Sequence, residues 1–504
     1  MTQKMTHWFY LALVGAIAVM MPWCGAKGAT GSATTRADGR PSPNILFIMT
    51  DQQQAGMLSC AGNTHLRTPA LDGLAAAGTR FEWAYAANPV CVPSRFSLQT
   101  GRMPSAIGMR TNQVQLKVPA DMCVQSLGPV LRRAGYRCAY GGKDHLPVTL
   151  SKYAMEHGYE KLTPDARDGL AKVCAEFLKR PHDRPFFLFA SFINPHDVCY
   201  MAINDLARHQ GLAISDTLDS RGCEEVLDTA RKSGDLDAFI REHGPPLPDN
   251  FGIPKAEPEG ITLDYVGRRS FRQYAREQWS EQTWRLHRWL YCRLTECVDA
   301  QIGIVLQALR EAGLEESTLV IFTSDHGDMD AAHRLEHKSV LYEESVRIPF
   351  IMTWKGTLPA GRVDREHLVS NGLDLLPTLC DYAGVDPPAG LPGRSLRPLV
   401  EGRTVNDWRD HVVAESQNGR MVRTADFKYC VYEHGQHREM LIDLKRDPGE
   451  MTNLADSPEY RDELNRHRRL LSRWAERWGD QTGRSYVIRP DGDTLPASLP
   501  AGNR

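Results

Sequence analysis

Residues 44–50, with the sequence NILFIMT, are followed directly by Asp51 and Gln52 and indicate the fold most clearly. The run has the length of a strand and is apolar at consecutive positions, which is typical of a strand buried on both faces of a parallel sheet. Similar runs recur at residues 136–140, 185–192, 318–323 and 349–354. The sequence therefore predicts a buried, mostly parallel sheet.

Helical patterns separate these runs, among them residues 168–178 and 284–312, whose apolar positions repeat every three or four residues. Strand–helix alternation predicts an α/β fold in which a large doubly wound sheet is flanked by helices. We assign this domain to residues 43–390. Within it, residues 199–280 are polar and punctuated by Pro and Gly, and we interpret them as an insertion over one edge of the sheet.

The sequence changes character after residue 390. Short candidate strands precede a charged helical pattern at residues 458–478, which predicts a smaller C-terminal α+β subdomain over residues 391–504. The candidate strands are residues 411–414, 421–423, 429–432 and 440–443.

Composition excludes several classes of protein. The chain has 504 residues, 42% hydrophobic and 24% charged, which argues against collagen-like, coiled-coil and disordered proteins. Its net charge of -2 provides no overall basic field, so we expect no nucleic-acid partner.

The N-terminus resembles a secretory signal. Lys4 precedes an apolar run at residues 9–23, and small residues follow it, so we predict a signal peptide at residues 1–29. The run is shorter than the ~20 residues of a membrane span, and no later segment is a candidate span. We expect an exported protein, periplasmic or secreted, with lipid anchoring at Cys24 left open.

Polar residues follow the first four apolar runs. Because ligands bind beyond the carboxyl ends of the strands in open α/β sheets, we expect these residues to converge on one site. Carboxylates suit a cation, and Lys and His suit an anion or proton transfer. The residues are Asp51 and Gln52; Lys143, Asp144 and His145; Asn194, His196 and Asp197; and Asp325 and His326.

A further cluster, Cys91-Val-Pro-Ser-Arg95, is followed by Thr100-Gly-Arg102. A cysteine beside an arginine is either a nucleophilic thiolate or an inert buried residue at a turn. The segment CVPSR with its downstream TGR resembles the signature of the type I sulfatases of the alkaline phosphatase superfamily. The resemblance extends along the chain through the segments NILFIMTDQ, GGKDHL, NPHD, TSDHGD, HKSVLYEESVRIPF and LIDLKRDPGEMTNL.

This resemblance implies an alkaline-phosphatase-like fold and a sulfatase mechanism. Cys91 would be converted to formylglycine by a formylglycine-generating enzyme, and one hydroxyl of the hydrated aldehyde would attack sulfur. The other hydroxyl would then lose its proton, so that the aldehyde re-forms and sulfate leaves. A divalent cation would lower the hydroxyl pKa and neutralise charge on the sulfuryl oxygens.

The resemblance also assigns roles by position. It implies metal ligation by Asp51, Gln52, Asp325, His326 and the modified Cys91, and catalytic roles for Arg95, Lys143, His145, His196 and Lys338. In those roles Arg95 stabilises the diol, Lys143 and Lys338 clamp the sulfate oxygens, His145 triggers aldehyde regeneration, and His196 with Lys338 serves the leaving oxygen. Asn112 and His333 are further candidates for contacts with the substrate. The implied cation is Ca²⁺, with Mn²⁺ as the alternative.

Two departures from the commonest family pattern stand out. Gln52 follows Asp51 where many sulfatases have a second acidic residue, and His326 follows Asp325 where many have Asn. Both variants resemble choline-sulfatase-like members and phosphonate monoester hydrolases. An imidazole ligand makes the site less hard than an all-oxygen calcium cage, which keeps manganese in consideration.

The leading functional prediction is a sulfatase that acts on a sulfated carbohydrate: a polysaccharide, a glycosaminoglycan or a glycan fragment. The alternatives are a phosphonate monoester or phosphodiester hydrolase, a choline-sulfatase-like or aryl sulfatase, and a non-hydrolytic glycan-binding protein. We expect surface loops of the insertion and the C-terminal subdomain, including Arg420 and Arg423, to contact the substrate. The sugar, the sulfate position and the oligomeric state stay open.

Overall fold

The computed structural model describes residues 42–487, so the predicted signal peptide and Cys24 lie outside the described residues. In chain order the strands are β1 (Asn44–Asp51), β2 (Thr79–Phe81), β3 (Ala84–Tyr85), β4 (Arg137–Gly142), β5 (Glu160–Thr163), β6 (Phe186–Pro195), β7 (Thr318–Ser324), β8 (Phe350–Thr353), β9 (Arg362–Asp364), β10 (Val369–Ser370), β11 (His411–Glu415), β12 (Gly419–Thr424), β13 (Phe427–Tyr432) and β14 (Glu439–Asp443). The α-helices are α1 (Pro69–Ala76), α2 (Cys91–Thr100), α3 (Ala120–Val124), α4 (Leu127–Arg133), α5 (Val148–His157), α6 (Asp168–Lys179), α7 (Cys199–His209), α8 (Leu218–Arg231), α9 (Leu236–His243), α10 (Ser270–Gln278), α11 (Glu281–Glu311), α12 (Glu343–Val346), α13 (Asn371–Ala383), α14 (Arg397–Val400), α15 (Arg461–Trp478) and α16 (Gln481–Tyr486).

The main sheet has eight strands in the order β5-β4-β6-β1-β7-β8-β2-β9. All neighbouring pairs are parallel except those made by β8, which runs antiparallel to β7 and β2. The prediction of a parallel strand at residues 349–354 is therefore wrong. Apolarity on both faces indicates burial and not direction. The chain between β7 and β8 contains only the four-residue α-helix α12, which is too short for the crossover that a parallel pair needs.

Helices cover both faces of this sheet, as predicted for a doubly wound fold. Along β1, Ile45 and Phe47 point into a core shared with α2, α4 and α13. Leu46 and Ile48 point into the opposite core, which is shared with α1, α6 and α11. Because side chains alternate between the faces of a strand, a continuous apolar run fills both cores.

Residues 199–280 are largely helical, forming α7 to α10. Their apolar side chains pack against α11 in one cluster that includes Leu227, Ile240, Trp279 and Trp289. The polar composition that suggested surface loops comes from the outer faces of these amphipathic helices.

The C-terminal part is a four-stranded antiparallel sheet, β11-β12-β13-β14, packed against α15, as predicted. Arg420 and Arg423 are buried: Arg420 is paired with Asp480, and Arg423 donates to the Tyr85 hydroxyl. Their predicted place on substrate-binding surface loops is therefore wrong. The eleven cysteines of the described residues are free thiols, and none of the helices described is long and apolar enough to cross a membrane.

Candidate active site

The four strands that end in polar residues lie side by side as β4-β6-β1-β7, and all four are parallel. At the carboxyl edge, Asp51 is opposite Pro195, Thr50 is opposite Ser324, and Gly142 is opposite Ser191. The residues that follow these strand ends therefore gather at one edge of the sheet.

Cys91 is the first residue of α2, and every residue of that helix is buried. The Cys91 Sγ lies 3.2 Å from His326 Nε2, 3.4 Å from Lys338 Nζ and 3.8 Å from Asp51 Oδ1. Next to Cys91, the Val92 amide donates to Asn112 Oδ1 at 3.0 Å. The Asn112 side chain thus satisfies one of the free amides at the start of α2.

Arg95 lies one turn beyond Cys91 and is 2% exposed. Its Nε donates to Asp325 Oδ2 at 2.8 Å, and its Nη2 donates to Asp51 Oδ2 at 2.9 Å. Its Nη1 donates to the Lys143 carbonyl at 2.7 Å and to Ser191 Oγ at 2.9 Å. The Arg95 guanidinium therefore links α2 to residues on or directly after β1, β4, β6 and β7.

Two lysines approach the same cluster. Lys143 Nζ donates to Asp51 Oδ2 at 2.7 Å, and Lys338 Nζ donates to Gln52 Oε1. Burial raises the pKa of Asp51, but the charges of Lys143, Arg95 and Lys338 outweigh it and hold the pKa well below its ordinary value. Asp51 is therefore a carboxylate at the centre of a positively charged pocket.

Asp51, Cys91, Asp325 and His326 are all buried and each offers a ligand atom within 4.8 Å of the others. The His326 Nδ1 lies 3.0 Å from the Gly327 carbonyl, which can only accept a hydrogen bond, so Nδ1 carries a proton. The other ring nitrogen, Nε2, faces the cluster. Two carboxylates and one imidazole nitrogen at this spacing fit a divalent cation.

The Gln52 amide lies beside this group. Its Oε1 accepts from Lys338 Nζ and from Cys199 Sγ at 3.0 Å, and its Nε2 donates to Asp328 Oδ2 at 2.6 Å. Its backbone amide donates to Asp325 Oδ1 at 3.1 Å. Metal ligation by Gln52 stays a prediction.

His196 follows β6, and its Nδ1 lies 3.6 Å from Asp219 Oδ2 on α8. Burial, together with the positive charges of Lys338 and Lys143, holds the pKa of His196 well below its ordinary value. The imidazole is therefore neutral at neutral pH.

His145 and His333 have less direct links to the cluster. His145 has a left-handed backbone conformation (φ 40°) two residues after Lys143. His333 is fully buried, stacks on Tyr342 with ring centroids 3.9 Å apart, and groups with Glu344 and Glu450. A catalytic role for His145 and a substrate contact for His333 stay predictions.

Ser191 and Asp219 belong to the site but are not predicted from the sequence. Ser191 is a lone hydroxyl inside the apolar run of β6, and this isolated polar position is the signal that could have identified it. Asp219 reaches His196 from α8, across 23 residues of chain, and no local pattern marks that contact.

Two protein-family models match the chain. The model of the Sulfatase family matches residues 43–385, and a model described as N-sulphoglucosamine sulphohydrolase, C-terminal, matches residues 331–476.

Two curated relatives come from Bacteroides thetaiotaomicron. A Delta 4,5-hexuronate-2-O-sulfatase is 29% identical over 88% of this chain and 91% of its own length. An N-acetylglucosamine-6-O-sulfatase is 26% identical over 90% of each chain. The solved structure of a 2-O GAG sulfatase superposes with a TM-score of 0.71 at 28% identity, covering 87% of this chain and 93% of the other.

Proposed function

The chain belongs to the sulfatase family and is a sulfuric ester hydrolase, and on that premise we propose that its substrate is a sulfated carbohydrate. The observation that supports the hydrolytic reaction is Cys91 at the start of a buried helix, facing Asp51, His326 and Lys338. Both curated relatives described above are named for sulfate esters of sugars, which supports a polysaccharide, glycosaminoglycan or glycan fragment as the substrate.

The proposed nucleophile is Cys91 after conversion to formylglycine by a formylglycine-generating enzyme. After addition of water to its aldehyde, formylglycine at this position would supply a hydroxyl for attack on sulfur. The Cys91 thiol lies beside Lys338 and close to Asp51. A permanent thiolate at this position would repel an anionic ester, whereas a neutral hydroxyl would not.

A divalent cation held by Asp51, Asp325, His326 and the modified residue 91 would supply Lewis acidity and neutralise charge on the ester. The carboxylates favour Ca²⁺, which is the cation that we propose, and the imidazole makes Mn²⁺ the alternative. Chelation should abolish sulfate release and lower the melting temperature, and Ca²⁺ should restore both. Better restoration by Mn²⁺ would reverse the choice of metal.

The remaining side chains bind and orient the ester. Lys143 and Lys338 bring two ammonium groups to the pocket, where they can hold two sulfate oxygens. Arg95 fixes the positions of Asp51 and Asp325. His196 is held neutral beside Asp219 and can hydrogen-bond to the leaving oxygen, while His145 is the proposed base for aldehyde regeneration.

We further propose that the protein is exported, periplasmic or secreted, with residues 1–29 as its signal peptide. Because every residue of α2 is buried, we expect the conversion of Cys91 to formylglycine to precede folding of this helix.

A substrate panel tests the proposal: sulfate release is measured from sulfated mono- and oligosaccharides, choline sulfate, an aryl sulfate and an aryl phosphonate. We expect the highest kcat/KM on a sulfated sugar, with Lys338→Met lowering turnover by more than 10²-fold and exposed Lys172→Met leaving it unchanged. Phosphonate turnover well above that of every sulfate would overturn the assignment, and turnover confined to choline or aryl sulfate would overturn the carbohydrate substrate.

A further inference from the structure

A second cleft lies between the C-terminal sheet and the helices around it. It encloses about 560 Å³, within the range of ligand sites. Its walls come from α13, the segment before α14, β11 and α15, none of which carries Asp51, Cys91, Lys143 or Asp325. The lining includes four arginines and two tryptophans: Arg394, Arg409, Arg473, Arg477, Trp474 and Trp478.

The charges in the cleft are not all neutralised by the protein. Arg409 is held by Asp374, and the Asp410 carboxylate lies 2.7 Å from His411 Nδ1. By contrast, Arg473 and Arg477 are exposed and make no ion pair with any of residues 42–487. The Arg477 guanidinium lies over the Trp478 ring, 5.1 Å from its centroid, but no carboxylate of the described residues neutralises Arg473 or Arg477, so both charges can attract an anion.

The two free arginines are one turn apart on α15, a separation of about 5.4 Å that is comparable with the length of one sugar ring. The rings of Trp474 and Trp478 are neighbours on α15, with centroids 5.9 Å apart and planes tilted at 54° to each other. The Nε1 of Trp474 is buried and has no acceptor within the described part of the chain. This surface offers flat rings for sugar C–H groups beside guanidinium groups for sulfate oxygens.

We propose that this cleft is a second binding site, separate from the catalytic cluster, for a sulfated oligosaccharide segment. The ligand class rests in part on the proposed function. Arg473 and Arg477 bind the sulfates, and Trp474 and Trp478 support the sugar rings. A polymer held there is tethered to the enzyme, which raises the effective concentration of its remaining sulfate esters.

Calorimetry with a size-defined heparin hexasaccharide as the probe tests the proposal on the full-length protein at low ionic strength. We expect wild type to show a binding event that Arg473→Gln/Arg477→Gln weakens by at least tenfold and Arg473→Lys/Arg477→Lys partly retains. The matched control, Lys172→Gln/Lys232→Gln, removes the same charge from exposed positions outside the cleft and should bind like wild type. Unchanged binding by Arg473→Gln/Arg477→Gln would overturn the proposal.

Two further measurements test the ligand class and replace the variant if it does not fold. Equal affinity of the same cleft for duplex DNA would overturn the assignment to a sulfated sugar. If the glutamine variant fails to fold, arginine-directed labelling of wild type replaces it: the probe should protect Arg473 and Arg477, and absence of protection would overturn the site. Sulfate release is measured separately, so loss of this site and failure of the proposed reaction are distinguishable.

Discussion

At the scale of single residues, Arg95 links more of the active site than any local pattern suggests. Its guanidinium, 2% exposed, bonds two carboxylates, a backbone carbonyl and a serine hydroxyl. Removal of a buried charge with this many partners is strongly destabilising, because the remaining groups stay buried without a partner.

Arg95→Lys should therefore cost both stability and activity. A lysine has one nitrogen and cannot span Asp51 Oδ2 and Asp325 Oδ2 together, so we expect the free energy of unfolding to fall by about 3 kcal/mol. Denaturant titration measures the loss. Arg461→Lys, at an exposed position on α15, is the control and should stay within about 0.5 kcal/mol of wild type.

Cys91→Ala removes one atom from a fully buried site and should abolish sulfate release, because the proposed nucleophile derives from that sulfur position. We expect turnover at least 10³-fold below wild type in a sulfate-release assay. Cys297→Ala, at an exposed cysteine outside the cluster, should keep wild-type turnover. Substantial activity in Cys91→Ala would refute the assignment of the nucleophile.

How far the sequence predicts the site depends on how each residue reaches it. Asp51, Asp325 and His326 follow strand ends, and parallel strands place such residues together, so their meeting was predictable. Cys91 was identified through the family signature. Asp219 was not found because it approaches His196 through the packing of α8, which no local pattern encodes.

At the scale of elements, Asp299 connects two helices. It lies on α11, and its carboxylate accepts from the Ala70 amide at 3.1 Å and the Leu71 amide at 2.9 Å, in the first turn of α1. Burial raises the pKa of Asp299 to about 6, against 3.8 for a free side chain, although the two amides oppose that shift.

This shift predicts a pH dependence of stability. The folded state binds more protons than the unfolded state between pH 3.8 and about 6, so the contribution of Asp299 is complete below that window and is lost as pH rises through it. Asp299→Asn should remove this dependence. Between pH 4 and pH 7, the free energy of unfolding of the variant should therefore rise by on the order of 2 kcal/mol relative to that of wild type. Denaturant titrations of both proteins at the two pH values measure this change. The same difference in free energy of unfolding between variant and wild type at pH 4 and at pH 7 would contradict the prediction.

The sequence predicts most elements, such as α6, α11 and the strands of the C-terminal sheet, because each carries its own periodicity. It does not predict the direction of β8, whose residues are buried in either orientation. It also underestimates helix in residues 199–280, where exposed faces make the average composition polar.

At the scale of the whole molecule, Lys428 joins the C-terminal sheet to the main domain. It lies on β13, is fully buried, and pairs with Glu450 and with Glu343 Oε1 at 3.2 Å at the start of α12. The segment carrying Lys338 precedes α12, so the C-terminal sheet supports the region that contains this proposed catalytic lysine.

Lys428→Met should therefore destabilise the whole molecule. Two buried carboxylates lose their cation, and we expect a loss of about 3 kcal/mol in a single cooperative transition, followed by calorimetry. Lys445→Met removes a lysine that is 71% exposed and pairs with Asp426, so it should cost no more than about 1 kcal/mol. Two separated transitions in wild type would show that the sheets unfold independently.

The central claim is that residue 91 is a modified nucleophile in a metal-binding sulfatase site. Peptide mass spectrometry of protein purified from its native host tests it most directly. We expect the peptide containing residue 91 to have a mass that corresponds to replacement of the thiol by an aldehyde, with the modified fraction rising in step with specific activity. An active preparation in which that peptide carries only the unmodified thiol would contradict it.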